Sequence, residues 1–359
     1  MSNVKLIAVG DIFLRTYSGH PFENVEATFQ DKDILFGNLE TVLSNRDKAT
    51  EKAVVLYAPP DKVRWLNDAK FDILNIANNH IMDLGAEGFN ETLDVLNQND
   101  LKFIGGSNHK SNKSHTIINV NNIKMGFLGY FEGGYNKPQN GVLINRMAKD
   151  KIIKDIRDLK QECDVVVISL HWGIENVFYP SPKQIDLAHK LIDSGATIIL
   201  GHHPHVIQGI ERYKNGLIAY SLGNFQFKNS IYHSGNDQSL ILSMEIVKEG
   251  LENYKIIPVL IDENNVPYIP KESDSVDILS FIDQISQPII NGRIIEKWWF
   301  EEIASVYLSG NMKSFVIRIK KYGMKHLLQC TLWLISPFCI KCYMGVVRKR
   351  IKHLKEDIL

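Results

Sequence analysis

The sequence predicts an α/β protein in which helices cover both faces of a largely parallel or mixed sheet. Over the first 263 residues, short apolar runs rich in β-branched residues alternate with amphipathic stretches. The apolar runs are bounded by Gly, Asn or Asp, which is typical of buried strands. Hydrophobic residues make up 44% of the 359 residues and charged residues 23%, so a disordered, collagen-like or disulfide-scaffold chain is excluded.

The predicted elements follow one another in the order that an α/β fold requires. The predicted strands are residues 4–9, 34–36, 73–77, 123–128, 165–170, 197–200 and 217–222. The predicted helices are residues 61–69, 86–98, 150–161 and 182–193. Residues 239–247 and 253–261 are predicted to form a closing antiparallel hairpin, joined through Glu249 and Gly250.

A domain boundary is predicted near residues 262–275, where Pro267, Pro270 and scattered charges indicate a linker. It divides the chain into a domain of residues 1–263 and a linker with a basic helical region over residues 264–359. The 41 basic and 41 acidic residues give a net charge of zero, which argues against a protein that coats nucleic acid. The charge is uneven, however, because residues 311–359 hold eleven Lys or Arg against two acids.

The basic C-terminal region allows two interpretations. Residues 327–347 contain a single charge, Lys341, and are followed by the basic run Arg-Lys-Arg-Ile-Lys-His-Leu-Lys. Because Pro337 and Lys341 interrupt the apolar stretch, one interpretation is an amphipathic or re-entrant membrane contact held by the basic run. The other is a pair of helices packed on the main domain, with a solvated basic end.

The N-terminus and the cysteines favour a cytoplasmic protein. The chain runs from its first residues directly into an apolar strand, with no signal-peptide pattern. Four cysteines in a chain of this length do not make a disulfide framework. We therefore expect a cytoplasmic location, with peripheral attachment at the inner face of the membrane if the basic region contacts lipid.

Polar side chains of metal-binding types follow six of the predicted strands. The strand ends carry Asp11, then Asn38 and Glu40, then Asn79, His80 and Asp83, then His171 and Glu175, then His202, His203 and His205, and finally Asn224. In an open α/β sheet the carboxyl ends of the strands form the ligand crevice, so these side chains are expected to converge. One such residue is more often a turn or cap residue, but capping does not account for all six strand ends.

The residue types favour one or two divalent ions such as Mn²⁺, Fe²⁺ or Zn²⁺. Carboxylates, an amide oxygen and imidazoles suit these ions, and no cysteine shares the loops. Two ions about 3.5–4 Å apart would hold a phosphoryl group and its attacking water. The sequence contains no P-loop, no strand-linked Gly-x-Gly-x-x-Gly and no Gly-x-Ser-x-Gly elbow, so those nucleotide-binding and serine-hydrolase motifs are not supported.

The strand-end motifs over residues 4–262 resemble the CapA family, the poly-γ-glutamate capsule-synthesis proteins with a calcineurin-like metallophosphoesterase fold. The motifs are Val9-Gly10-Asp11, Gly37-Asn38-Leu39-Glu40, Ala77-Asn78-Asn79-His80 with Asp83, His171-Trp172-Gly173 with Glu175, Gly201-His202-His203-Pro204-His205, and Ser221-Leu222-Gly223-Asn224-Phe225. The resemblance implies a four-layer α/β/β/α sandwich, with the C-terminal helical region as an appendage outside it.

The resemblance also implies roles for individual residues. The implied metal ligands are Asp11, Glu40, Asn79, His171, His203 and His205. His80 matches the histidine that contacts the phosphate and protonates the leaving group, and Asp83 would orient it, unless Asp83 only caps the following helix. The wider fold has a histidine two residues after its first Asp, where this chain has Phe13. The first ion would then lose a ligand unless His202 or a water compensates, which leaves open a single-metal site or a site that binds without hydrolysing.

Further residues are candidates for binding the substrate. They are Arg15, Asn38, Trp172, Glu175 and Asn224. Each has a simpler alternative: an exposed arginine, a turn or loop cap, or a side chain packed under a loop.

Two functions follow from the sequence. The first is a metal-dependent hydrolase of phosphate esters that serves capsule or surface-polymer synthesis, acting on an anionic phosphate-containing or polymeric substrate. The second is a non-catalytic metal-binding subunit that docks at a membrane polymer synthase or exporter. Nucleic acid is not expected as a partner in either case.

Overall fold

The computed structural model describes residues 3–14, 19–47, 49–50, 52, 54–108, 115–133, 141–228, 236–323 and 325–356. In chain order the strands are β1 (Val4–Ile12), β2 (Ile34–Leu39), β3 (Val42–Leu43), β4 (Tyr57–Ala58), β5 (Ile73–Asn75), β6 (Lys102–Ile104), β7 (Gly106–Ser107), β8 (His115–Val120), β9 (Ile123–Phe131), β10 (Leu143–Ile144), β11 (Val165–His171), β12 (Ile198–His202), β13 (Ile210–Tyr213), β14 (Gly216–Ala219), β15 (Gln238–Val247), β16 (Gly250–Ile261) and β17 (Pro267–Tyr268). The helices are α1 (Glu26–Phe29), α2 (Val63–Asp68), preceded by a 3₁₀ turn at Pro60–Lys62, α3 (Gly85–Gln98), α4 (Lys149–Lys160), α5 (Pro182–Asp193), α6 (Glu272–Ile290), α7 (Glu296–Tyr322), α8 (Lys325–Leu334) and α9 (Pro337–Glu356).

Within the described ranges the strands form two large mixed sheets. The first has the order β17-β16-β15-β1-β2-β5-β6, and the second has the order β13-β14-β12-β11-β9-β8. Strands β1, β2, β5 and β6 are parallel, as are β9, β11, β12 and β14. The predicted hairpin is confirmed as β15 and β16, which pair antiparallel and attach to β1.

The two sheets face each other, and helices cover their outer faces. Alternate residues of β1 separate the layers: Leu6 and Ala8 lie in the cluster between the sheets, whereas Ile7 and Val9 lie in the outer cluster with α3. A third buried cluster joins the outer face of the second sheet to α4, α5 and the C-terminal helices. The four-layer α/β/β/α sandwich is therefore confirmed.

Several predicted bounds differ from the structure for physical reasons. Strand β8 was absent from the prediction because His115–Val120 alternates partly buried and exposed side chains at a sheet edge, so it has no continuous apolar run. The predicted linker contains β17, which pairs with β16, and the start of α6. Helix α6 then buries Ile278, Ile282 and Ile285 in the cluster between the sheets. The domain boundary at residue 263 stays a prediction.

The C-terminal helices pack on the second sheet's helical layer. The indole nitrogen of Trp299 in α7 donates to the carbonyl oxygen of Tyr179 at 3.0 Å, and Trp298 packs edge-on against the Tyr179 ring. Cys342 of α9 is fully buried in the same cluster. In the described part of the chain, no helix has both the length and the apolar character needed to cross a membrane.

Two glycines let the strand ends approach one another closely. A Cβ at Gly10 would lie 2.0 Å from the carbonyl oxygen of Gly223, and a Cβ at Gly201 would lie 1.9 Å from that of Tyr220. Backbone atoms cannot swing aside as a flexible side chain can, so these positions exclude any larger residue. Gly10 and Gly201 immediately precede Asp11 and His202 at the carboxyl ends of β1 and β12.

We expect Gly201→Ala to lower the free energy of unfolding by about 3 kcal/mol, because the added methyl group forces the two backbones apart. Urea unfolding followed by circular dichroism measures this. Gly310→Ala in α7 is the matched control, since a Cβ there meets no atom of the described residues within 4 Å. That control should raise stability by about 0.5–1 kcal/mol, as alanine does in a helix interior. Equal effects of the two substitutions would contradict this interpretation.

Candidate metal centre

The predicted strand-end residues meet at one edge of the sandwich. In the first sheet Asp11 is in register with Asn38, and Asn38 is in register with Asn75. In the second sheet His171 is in register with His202. Because all of these strands end at the same edge, side chains that are far apart in sequence converge between the two sheets.

One group of candidate ligands consists of Glu40, His171 and His203, whose ligand atoms all lie within 4.8 Å of one another. The Nε2 atom of His171 is 3.4 Å from Oε1 of Glu40, and the rings of His171 and His203 are 4.7 Å apart. The amide oxygen of Asn79 lies 2.8 Å from the same Nε2 atom of His171. Carboxylate, imidazole and amide oxygen thus converge on one point.

A second group consists of Asp11, Glu40 and His205, all buried. The Nδ1 atom of His205 lies 3.4 Å from Oδ2 of Asp11 and 3.9 Å from Oε2 of Glu40. It also lies 2.9 Å from the amide oxygen of Asn224. Glu40 therefore faces both groups, with one carboxylate oxygen toward each.

The surroundings of Glu40 fit a cation. Its side chain is 0% exposed, and within the described residues neither carboxylate oxygen has a hydrogen-bond partner. A buried carboxylate without a compensating partner is strongly destabilising, unless a positive charge is bound beside it. Two ions, one in each group and sharing Glu40, would satisfy both oxygens with the ligand types that borderline divalent metals prefer.

The pKa directions of the two buried carboxyl groups differ. Burial raises the pKa of Glu40 well above its ordinary value, and the negative charge of Asp11 adds to this effect. Burial also opposes ionisation of Asp11, but the nearby imidazoles of His202 and His205 outweigh it and hold the Asp11 pKa well below its ordinary value. Glu40 is thus the carboxylate that most needs an added positive charge.

The histidines also divide by charge. Burial lowers the pKa of His171 well below its ordinary value, and burial lowers the pKa of His203 to about 4. Burial acts in the same direction on His205, but the negative charges of Glu40 and Asp11 overcome it and raise the pKa to about 10. His171 and His203 are therefore neutral near pH 7, which is the form that binds metals, whereas an ion held by His205 would have to displace its proton.

Two buried asparagines form a hydrogen-bonded chain that contacts the candidate ligands. The Nδ2 group of Asn38 donates to Oδ1 of Asp11 at 2.8 Å and lies 3.3 Å from Nδ1 of His171. The Nδ2 group of Asn75 donates to the Asn38 amide oxygen at 2.8 Å. Asn38 was predicted to bind substrate; the structure instead buries it fully beneath the ligands, where it orients them.

His80 and Asp83 form a pair beside the first group. The Nδ1 atom of His80 lies 2.6 Å from Oδ2 of Asp83, which is fully buried. Asp83 does not cap α3, because no side-chain hydrogen bond caps that helix at Leu84. Lys52, which the sequence analysis missed, donates from Nζ to Asp83 and to the carbonyl oxygen of Asn79.

The remaining predicted residues are placed differently. Glu175 is exposed at the mouth of the site, and its carboxylate forms a third possible ligand group with His203 and His205. Trp172 does not join the cluster, because its indole is fully buried on the outer face of β11, stacks on Tyr220 and donates to that residue's carbonyl oxygen. The expected pocket role of Trp172 is therefore corrected to core packing. Arg15 lies outside the described residues.

The backbone is strained where two of the candidate ligands sit. His203 and His205 have positive φ angles of 95° and 59°, a region that residues other than glycine rarely adopt. Such strain persists only where the surroundings hold it, and it is common at functional sites. The backbone N–H of His203 donates to Oδ2 of Asp11 at 3.3 Å, which ties this loop to β1.

Phe13 lies beside this second group. Its ring packs edge-on against Phe227 at 5.9 Å, and Phe227 in turn packs against the His205 ring at 5.6 Å. The Nδ1 atom of the buried His202 is 3.3 Å from Oδ1 of Asp11, and neither ring nitrogen of His202 has a hydrogen-bond partner in the described ranges. His202 is thus close enough to Asp11 to supply the nitrogen that Phe13 does not.

Comparisons with known proteins place this geometry in context. A family model described as "Bacterial capsule synthesis protein PGA_cap" matches residues 5–229. The chain is 31% identical over 328 residues to the capsule biosynthesis protein CapA of Bacillus anthracis, covering 87% of this chain and 77% of that protein. It is 31% identical over 281 residues to the PGA biosynthesis protein CapA of Bacillus subtilis (strain 168), covering 74% and 73%. A 5'-nucleotidase structure from Candida albicans SC5314 is similar at 12% identity and a TM-score of 0.47, over 79% of this chain and 58% of that one, a likeness too weak to support an inference.

Proposed function

Because this chain belongs to the family of bacterial capsule synthesis proteins that the PGA_cap model describes, we propose that it serves the synthesis of a polyglutamate capsule or a related surface polymer by metal-dependent hydrolysis of a phosphate ester. The names of the two Bacillus relatives support the biological setting. The buried carboxylate of Glu40, which accepts no hydrogen bond within the described residues and faces both groups of candidate ligands, carries the chemical part of the proposal.

Glu40, His171, His203 and Asn79 would hold one divalent ion, and Asp11, Glu40 and His205 would hold the other. When bound, such ions supply the positive charge that polarises a phosphoryl group and acidifies water. The ligand side chains fix the position of this charge, and the buried asparagines below them keep the ligands in place. The metal's identity is left open by ligands that suit Mn²⁺, Fe²⁺ and Zn²⁺ alike.

His80 is proposed to give a proton to the leaving alcohol. Its Nδ1 atom is held by Asp83, so Nε2 is the nitrogen available to a substrate. Asp83 is itself fixed by Lys52 and by the backbone N–H of Leu56, which donates to it at 2.8 Å. This fixed orientation is what a general acid needs in order to act on a bound ester.

The proposal is tested by metal analysis and by turnover of an aryl phosphate in Mn²⁺. We expect His80→Ala to lower turnover by about 100-fold while bound metal is unchanged, because His80 acts on the leaving group and holds no ion. His115→Ala, a change of the same kind at an edge strand, should leave both turnover and bound metal unchanged. Chelation should abolish turnover of the wild-type protein, and turnover that survives chelation would contradict the proposal.

A second function, a non-catalytic metal-binding subunit of a membrane polymer synthase or exporter, is favoured by Phe13. An apolar ring at that position offers no ligand to the second group, whose remaining protein ligands are Asp11, Glu40 and His205. Bound metal together with turnover no higher than that of His80→Ala would support this docking role over hydrolysis.

A further inference from the structure

The exposed apolar side chains are concentrated in the C-terminal helices. Among the described residues, the first 263 expose three large hydrophobic side chains, at Val54, Ile117 and Leu143. Most of the others lie on α7, α8 and α9 or next to them, and α9 alone exposes six. A soluble domain rarely leaves a continuous apolar surface without a binding partner, so this distribution indicates an interaction surface on these helices.

Helix α9 carries its exposed apolar residues in one stripe, which we call the α9 stripe. Its members are Ile340, Tyr343, Met344, Val347, Ile351 and Leu354, each between 41% and 61% exposed. At about 100° per residue these six positions fall within an arc of about 100°, a spacing typical of an amphipathic helix. The opposite side of α9 is already occupied, because Cys342 is fully buried and Val346 packs in the same cluster.

Basic residues flank the α9 stripe on both sides. By the same rotation, Arg348 lies on one side of the stripe and Arg350 on the other, and both are exposed, as is Lys352. Within the described residues none of the three forms an ion pair. The basic residue that faces away from the stripe, Lys349, is instead paired with Glu302 of α7 at 2.8 Å. The stripe and its flanks contain no acidic residue.

We propose that the α9 stripe docks on the surface of an anionic lipid bilayer, with α9 lying parallel to the membrane plane. Apolar side chains would enter the boundary between headgroups and acyl chains, and Arg348, Arg350 and Lys352 would contact the lipid phosphates. The proposal does not depend on the chemistry of the metal centre.

Charge distinguishes a bilayer from a second copy of this chain. In a symmetric dimer formed through the α9 stripe, each basic flank would face the basic flank of the other copy, and like charges repel. An anionic lipid surface would instead present negative charge on both sides of the α9 stripe once the stripe is inserted. The indole nitrogen of Trp299 in α7 donates to the carbonyl oxygen of Tyr179, four residues after Glu175, so the C-terminal helices adjoin the loop at the mouth of the metal centre. Docking through α9 would therefore bring that centre near the membrane.

Vesicle flotation of the full chain tests the proposal. We expect the protein to float with vesicles of phosphatidylcholine and phosphatidylglycerol, to float much less with phosphatidylcholine alone, and to be released by high salt. Val347→Glu should weaken binding by about tenfold or more, because it places a charge in the exposed stripe that the membrane would bury. Val276→Glu on α6 is the matched control: Val276 is 59% exposed and Val347 is 55% exposed, so neither substitution disturbs a core. The Val276→Glu protein should bind to the vesicles as the wild type does.

Three results of the flotation experiment would contradict membrane docking. Absence of flotation with anionic vesicles, equal binding to neutral vesicles, or equal binding by wild type and Val347→Glu would each overturn the proposal. Light scattering without lipid tests whether a second copy of the chain covers the α9 stripe instead. A dimer that Val347→Glu dissociates would make the stripe an interface between two chains and would also overturn the membrane proposal. Circular dichroism of each variant confirms that the helices are retained, and His80→Ala should float like the wild type even if it does not hydrolyse an ester.

Discussion

Replacing Glu40 with glutamine should remove bound metal and lower aryl-phosphate turnover by at least about 1,000-fold, while the metal-free protein becomes no less stable. Glutamine has nearly the shape of glutamate but cannot carry the negative charge that both ligand groups share. In the metal-free protein the same substitution replaces a buried carboxyl group that accepts no hydrogen bond and whose pKa burial raises well above its ordinary value, so the free energy of unfolding should stay equal or rise by about 1 kcal/mol. Loss of function with unchanged or higher stability is the signature of a metal-bridging residue.

Metal-dependent stabilisation separates this outcome from a simple packing role. A ligand that binds only the folded protein stabilises it by about 2.7 kcal/mol at 100 times its dissociation constant. We expect added Mn²⁺ to raise the melting temperature of the wild type and to leave that of Glu40→Gln unchanged. Calorimetry and metal analysis on the same samples measure both effects.

Glu211→Gln is the control, because Glu211 is a buried glutamate whose carboxylate has hydrogen-bonding partners within the protein. Its two carboxylate oxygens lie 3.0 Å from Nε2 of His189, and one accepts from the hydroxyl of Tyr220 at 2.8 Å. Removing its charge breaks existing interactions, so stability should fall by about 2 kcal/mol with or without metal. If Glu40→Gln instead loses stability like Glu211→Gln and keeps its metal, the assignment of Glu40 fails.

The cluster could be predicted from the sequence because each ligand candidate lies at the carboxyl end of a buried strand or in the loop that follows it. Parallel strands that pair in register deliver their terminal side chains to one edge, and Asp11 beside Asn38 and His171 beside His202 show this pairing. The four-layer arrangement itself came from the family resemblance, since apolar runs alone do not say how many sheets they form. Which side of a strand faces the other sheet can be inferred only where a polar residue at the end of that strand marks the side on which the site lies.

Trp172 illustrates a signal that the sequence contained. Successive side chains of a strand point to opposite faces, so a residue adjacent to His171 must face away from the site. Lys52 is the opposite case: it lies in the middle of the loop between β3 and β4, away from the ends of the long strands, and nothing in the sequence around it predicts that it reaches Asp83. The C-terminal helices were also hard to delimit, because α8 and α9 carry apolar residues on both their packed and their exposed sides.

Phe13 offers the strongest test of whether the second ligand group is complete. Two residues after Asp11 along an extended chain, its side chain lies on the same side as the Asp11 carboxylate. Its ring is partly buried against Phe227, which itself contacts the His205 ring. An imidazole at this position would therefore add a nitrogen ligand beside Asp11 and His205 without disturbing the core.

We expect Phe13→His to raise the affinity for the second ion by about 100- to 1,000-fold, since loss of a residue that merely supports a ligand already costs 10- to 100-fold. Bound metal should rise toward two ions per chain, and aryl-phosphate turnover should rise in parallel. Phe178→His is the matched control, because Phe178 is also partly buried and packs edge-on against one other phenylalanine, Phe281; it should change neither quantity. A gain of metal without a gain of turnover would assign this chain to the docking role, whereas no gain of either would mean that His202 already supplies the missing nitrogen to Asp11.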